Sequence, residues 1–272
     1  MSMIRKGGPA QLPSSPESRG SSDPAALLHP SLSADAGGPP RRTPWGARTV
    51  FGVAGLALLA YALILVASIA ALLAIKGRHP SSTEEIVAAL IATMVLDCIL
   101  VTFAYRFGPR RWRLGFGGLG FRDFNPAVVG LALAGVLMAW GILVVYGILV
   151  QAVGLDELLP KSTLQDEVFN DRLAIIVAGL ATVAVAPLAE ETFFRGFVFA
   201  GLLPRWGFWS AAAASGALFS AAHLDPGSFV PFALVGMVLA WLYYRTNTLW
   251  TAIAMHFAFN LISYSIAVAA ST

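Results

Sequence analysis

From Thr49 to Ala269 the chain alternates long apolar segments with short polar breaks, and this pattern leaves few folds open. About 20 apolar residues cross a hydrocarbon core of about 30 Å as a helix, because in lipid every backbone N–H and C=O must find its partner inside the segment. The pattern predicts seven helices, over 49–75, 86–106, 127–150, 173–203, 208–222, 229–244 and 248–269. The fold class is therefore all-α, a polytopic transmembrane bundle. Of the 272 residues 57% are hydrophobic and 12% charged, against about 45–50% and about 25% in soluble domains. The single Cys98 excludes a disulfide within the chain.

The first 48 residues are of different material, with 8 of the 16 prolines, many Ser and Gly, and no apolar run of helical length. They read as a disordered tail, 1–48, on the cytoplasmic side. No basic start followed by an apolar stretch stands near Met1, so the first helix, which opens the transmembrane set 49–150, is expected to be an uncleaved anchor. The predicted helix 173–203 would be about 46 Å long, well beyond the hydrocarbon core, so it must tilt, kink or protrude. The two helices after it are short and flank Asp225-Pro226-Gly227, as a partly re-entrant pair would.

Orientation follows from Lys and Arg. With the N-terminus inside, 13 of the 18 fall on the cytoplasmic side, from Arg5 in the tail through Arg106, Arg110, Arg111, Arg113 and Arg122 to Arg205 and Arg245. Four fall outside (Lys76, Arg78, Lys161, Arg172), and Arg195 lies within a helix. The outer loop 151–172 is acidic, and the reading is N-in, C-out. The net charge of +3 is thus a topology signal; nucleic acid as a partner would need a basic folded face, which the sequence lacks. The stretch 110–124 holds the letters of a dinucleotide fingerprint (Gly115, Gly117, Gly118, Gly120), but between two membrane helices it lacks the βαβ unit that motif requires. Its Arg and aromatic residues suit the headgroup level instead.

Ionisable groups inside spans are costly and mark function. Here they are Asp97, Glu190, Glu191, Arg195, His223 and His256. Glu190 and Glu191 point about 100° apart on a helix, while Glu191 and Arg195 are four apart in the favourable order for a pair on one face. That leaves Glu190 to face a cavity. Pro187 cannot donate to Val183, which loosens the turn just before the two acids. The other reading of this segment is a buried Glu-Arg pair that fixes helix packing.

Two further motifs follow. Phe219 and His223 share one helical face, and so do His256 and Asn260. Each has a bland alternative: a helix-end histidine, and an asparagine that joins helices. Counted from their cytoplasmic ends, Glu190 stands about 21 Å up its helix, His223 about 24 Å, and His256 and Asn260 about 14 and 20 Å. The polar groups therefore reach comparable depth. With about 10 Å of two helices protruding, they sit in the inner half of the membrane. Asp97, on the second helix, fits none of these motifs and reads as a packing or hydrogen-bonding residue.

Glu-Glu-x-x-x-Arg, Phe-x-x-x-His and His-x-x-x-Asn, in this order on successive membrane helices, resemble the three motifs of the CPBP intramembrane proteases. That family includes type II CAAX prenyl proteases and bacterial Abi, bacteriocin-processing and immunity proteins. The resemblance covers 173–269 as a catalytic helix core. It implies that Glu190 activates water as general base and His223 helps to position it. His256 and Asn260 would stabilise the oxyanion, with Glu191 and Arg195 holding the first helix and Phe219 in support. The physics suits these roles: an apolar bundle disfavours the charged form of a carboxylate, as a general base needs, and Asn and His are good oxyanion donors in a dry site.

Glu190, His223 and His256 also form an acceptable three-ligand set for catalytic zinc, leaving one position for water. No His-Glu-x-x-His helix is present, so glutamate-driven hydrolysis is the leading reading and zinc the second. The sequence thus points to an intramembrane endopeptidase in a membrane of bacterial type. It would cleave a membrane-associated or lipid-modified peptide or protein near the cytoplasmic face. The alternative is a non-catalytic immunity or scaffold protein that keeps the same polar cluster as a binding site. A transporter ranks third, because no internal repeat relates 49–150 to 173–269.

Overall fold

The computed structural model describes residues 43–74, 82–123, 126, 128–161 and 166–271. Helices α1 (Ala47–Ala74), α2 (Ser82–Phe107) and α3 (Val128–Ala152) come first. A continuous helical run, Arg172–Ala221, follows and breaks at Gly207, whose φ of 72° and ψ of 175° are open to glycine and strained for other residues. The break divides the run into α4 (172–206) and α5 (208–221). Helices α6 (Phe229–Thr246) and α7 (Leu249–Ser271) complete the bundle. Among the described residues there is no strand, and six helical segments are long and apolar enough to cross a membrane, with Arg172–Ala221 counted once. The predicted set of about seven helices is present, with the boundary between the fourth and fifth at Gly207.

The bundle is apolar outside and carries its charge at the centre. Leu58, Leu63, Val66 and Leu137 face outward on α1 and α3, whereas Glu191 and Arg195 are fully buried among Phe193, Phe194, Phe197, Phe199 and Phe219. Lipid replaces water as the outer medium, so large apolar side chains on the surface carry no penalty. Helices α5 and α6 touch through their backbones: a Cβ on Gly216 would stand 2.5 Å from the carbonyl oxygen of Ala233. Small residues at such crossings let helices approach closely enough for dispersion to hold them.

Helix α4 answers the expectation of a loosened turn, though with a widening in place of a sharp kink. Leu180–Val185 and Glu191–Phe199 wind as π-helix, with five residues of α-helix, Ala186–Glu190, between them. Ahead of Pro187 the widening has a local cause, since that residue brings no N–H to the ladder. The second wide section contains no proline. The start of α4 is capped as its sequence allows, Asp171 Oδ1 accepting from the N–H groups of Leu173 and Ala174 at 2.8 and 3.1 Å.

The tail predicted over 1–48 lies outside the described residues up to position 42, but 43–48 belong to the fold. Trp45 is 1% exposed, stacks on Phe197 and donates from Nε1 to the Phe197 carbonyl at 3.0 Å; Thr43 donates to the carbonyl of Ala200 at 2.8 Å. One aromatic anchor in a Pro-Gly-Ser background is invisible to an average over composition. The stretch that follows α2 forms two short 3₁₀ turns, Pro109–Trp112 and Phe116–Leu119, with Arg110, Arg111, Arg113, Trp112 and Phe116 exposed. Beyond them Arg122 donates to the carbonyl of Asn247 at 2.6 Å and to its side-chain oxygen, while the N–H of Leu249 donates to Gly120 at 2.8 Å. This arginine-rich segment is thereby pinned to the α6–α7 turn.

Candidate active site

The wide section of α4 places Glu191 and Arg195 side by side in the bundle centre. Arg195 Nη1 donates to Glu191 Oε1 at 2.7 Å, and both side chains are wholly removed from solvent. Nη2 donates to the carbonyl of Gly236 on α6 at 3.2 Å, and the guanidinium carbon lies 4.4 Å from the centre of the Phe219 ring. A buried charge pair is tolerated when further interactions share its cost, and here the Gly236 carbonyl of α6 adds a hydrogen bond and the Phe219 ring a cation–π contact. The pair predicted from i, i+4 spacing exists, and it ties three helices together.

Glu191 has a second partner that spacing does not reveal. Nδ1 of His256, on α7, lies 2.9 Å from the same Oε1. With Oε1 already accepting from Arg195, the imidazole is the donor, and the hydrogen on Nδ1 leaves Nε2 turned to the other acid. That second atom stands 3.9 Å from Oε2 of Glu190, within ion-pair range and beyond a direct hydrogen bond. Glu190 retains 20% of its side-chain exposure, against none for Glu191. The adjacent acids have separate surroundings: Glu191 is consumed by structure, and Glu190 is accessible.

Phe219, on α5, joins the two histidines. Its ring lies 4.8 Å from that of His223 and 5.8 Å from that of His256, centre to centre. His223 donates from Nδ1 to the carbonyl of Phe219 at 2.9 Å. A carbonyl only accepts, so the hydrogen is on Nδ1 and Nε2 of the neutral ring carries a free lone pair. Phe232 of α6 closes the other side of the His223 ring at 4.8 Å. Asn260 takes a different place: its Nδ2 donates to the carbonyl of Thr182 in the first wide section of α4, at 2.8 Å.

Asp97 is 5% exposed on α2 and interacts electrostatically with both Glu190 and His256. Spacing within a single helix gave no sign of that proximity. Other supporting groups were equally hidden, because they act through main chain: Gly236 and Thr182 as acceptors, and Ser215, whose hydroxyl donates to the Phe194 carbonyl at 2.8 Å. At the end of α5, Asp225 organises the turn into α6. It accepts from the hydroxyl and N–H of Ser228, from the N–H of Gly227 and from that of Lys161. These bonds, the Ser228 hydroxyl foremost, hold its carboxyl below the ordinary carboxylate range.

A resident zinc would require three of these side chains to converge on one point. Among the described residues no three His, Cys, Asp or Glu side chains do so. The Nδ1 bonds of His256 and of His223 leave Nε2 of both rings open, and what is missing is one point common to all three side chains. Glu190, His223 and His256 therefore do not fit a zinc site as arranged.

Residues 172–262 match the family described as Rce1-like, type II CAAX prenyl endopeptidase Rce1-like. The chain is also 32% identical over 88 residues to the Bacillus subtilis protein named "Putative membrane peptidase YdiL", a stretch covering 32% of this chain and 34% of that protein. The chain thus spans about a third of the length of the curated relative it matches. No solved structure gives a significant match. The family match covers α4 to α7 and hence every group from Thr182 to Asn260 described above.

Proposed function

We propose, on the match of residues 172–262 to the Rce1-like family, that this integral membrane protein hydrolyses a peptide bond with Glu190 as the base. The observation that carries the proposal is the separation of the paired acids. Glu191 is spent on Arg195 and His256, and Glu190 keeps an accessible carboxylate beside His256.

In this reading a water molecule between Glu190 and the substrate carbonyl loses its proton to Glu190 as its oxygen bonds to the carbonyl carbon. The free Nε2 of His223 accepts the second hydrogen of that water and fixes its direction. His256 faces the developing oxyanion through Nε2. With the Nδ1 hydrogen already given to Glu191, that donation requires a hydrogen on Nε2 as well. Glu190 then returns its proton to the amide nitrogen as the C–N bond breaks, leaving a carboxylic acid and an amine. Every step uses groups of this chain and one water.

The substrate is a membrane-associated or lipid-modified peptide or protein, cleaved near the cytoplasmic face. The arginine-rich end, with Arg106, Arg110, Arg111, Arg113, Arg122, Arg205 and Arg245, is cytoplasmic in this orientation. The test is comparative profiling of membrane-protein termini in cells carrying the wild-type chain, Glu190→Ala or His223→Ala. New termini that need both residues support the proposal. Cleavage that persists in both variants, with protein levels unchanged, overturns it.

A further inference from the structure

Asn260 stands at a gap in the backbone ladder of α4. The wide section Leu180–Val185 winds as a π-helix, in which a carbonyl pairs with the N–H five residues ahead, and the N–H of Ala186 accordingly donates to Ala181. The next carbonyl in this series is that of Thr182, and the residue five ahead is Pro187, which has no N–H. A carbonyl left without a donor in a membrane interior costs free energy comparable to a lost hydrogen bond or more. Nδ2 of Asn260, from α7, donates to this same oxygen at 2.8 Å.

We propose that Asn260 is a positioning residue, whose amide replaces the N–H that Pro187 lacks and so fixes the turn that carries Glu190. Three features meet at the Thr182 carbonyl oxygen: the five-residue bonding pattern, the proline at its next step, and the side-chain donor found there. Asn260 lies four residues after His256, so one helix supplies both the clamp on Thr182 and the imidazole facing Glu190. The bond between α7 and α4 therefore sets the height of Glu190 relative to His256. This role differs from the oxyanion donation that the family resemblance implies for Asn260. Its catalytic consequence rests on the peptidase proposal; its consequence for folding does not.

A double-mutant cycle between Asn260→Ala and Pro187→Ala separates the two roles. Alanine at 187 restores a main-chain N–H. Whether the helix keeps its wide turn or reverts to α-helix, the Thr182 carbonyl then gains a backbone donor, from residue 187 or from Ala186. Alone, Asn260→Ala is expected to lower the thermal unfolding midpoint in detergent and to lower kcat by on the order of 10²-fold, with KM little changed, as misplacement of a catalytic group does. In the Pro187→Ala background the same substitution is expected to cost less than about a tenth of that, and to leave the midpoint where Pro187→Ala alone puts it.

An Asn260→Ala loss of kcat that is undiminished in the Pro187→Ala background overturns the proposal in favour of oxyanion donation. An unfolding midpoint unmoved by Asn260→Ala also overturns it. Asn260→Leu adds a control of similar volume, since it cannot donate to Thr182 and is expected to behave as the alanine variant does. If no variant, and not the wild type, cleaves any substrate, the peptidase proposal falls and the unfolding midpoints still decide the role of Asn260.

Discussion

Oε1 of Glu191 lies 2.9 Å from Nδ1 of His256, so the second acid of the pair, not the first, takes the direct hydrogen bond from the histidine of α7. The same oxygen receives Arg195 at 2.7 Å. A single buried carboxylate oxygen thus organises α4 and α7, with α6 joined through the guanidinium. Sequence spacing accounts for the arginine, four residues along the helix. The histidine is 65 residues away and becomes a neighbour only in the folded bundle.

This arrangement predicts opposite outcomes for neighbouring substitutions. Glu191→Ala leaves Arg195 buried without its partner, a loss of about 3–5 kcal/mol where one member of a buried pair is removed. It is expected to lower the unfolding midpoint sharply in detergent. Glu190→Ala removes a side chain with no direct hydrogen bond, and is expected to fold within about 1 kcal/mol of wild type while losing cleavage. Equal midpoints for the two variants would show that the acids do not divide their roles in this way.

Because the donor set does not converge, cleavage is expected to survive exhaustive chelation. Activity of the purified protein in lipid, measured before and after treatment with a zinc chelator and again after zinc addition, should be unchanged. A chelator-sensitive rate restored by zinc would show that Glu190, His223 and His256 move together in the working state.

The α5–α6 crossing predicts a steric limit at Gly216. A Cβ there meets the Ala233 carbonyl oxygen at 2.5 Å, a backbone atom that cannot swing aside. Gly216→Val is therefore expected to force the helices apart and cost about 1–3 kcal/mol, in the range of overpacked cores. The readout is thermal unfolding together with the fraction of monodisperse protein after extraction. A wild-type midpoint would mean that the crossing is looser than the structure has it.

Asp225 predicts a pH dependence of stability. Its carboxyl is held below the ordinary value of 3.8 by the Ser228 hydroxyl and three backbone N–H groups. A group whose folded pKa is depressed favours the folded state above its unfolded pKa, and this contribution fades as pH falls through the folded value. The stability deficit of Asp225→Asn is thus expected to be full at neutral pH and to shrink below about pH 4. Unfolding midpoints of both proteins across that range measure it, and a deficit independent of pH would assign the effect to the turn geometry alone.

Much of the fold is legible in the sequence for one physical reason: a membrane span must satisfy its own backbone and be apolar, and both demands are written in consecutive residues. The helices from α1 to α7 follow from that, and so does the break between α4 and α5, where Gly207 stands. The π-helical turns of α4 are less legible. Pro187 signals the first, but Glu191–Phe199 has no local breaker and owes its form to what packs around it. Trp45 escaped for a related reason, since its slot against Phe197 is made by a helix 152 residues away.

At the site the boundary is equally physical. The sequence by itself determined which groups are dangerous to bury: six ionisable side chains in an apolar chain, most of them in three short motifs, with Glu191 and Arg195 paired by helical spacing. Only the tertiary structure decided what each does with its burial. It gave His256 to Glu191, left Glu190 accessible, brought Asp97 into electrostatic range of both Glu190 and His256, and set the amide of Asn260 on the carbonyl that Pro187 leaves unpaired. Periodicity reaches four residues along one helix, whereas these contacts join different helices and depend on how the bundle packs.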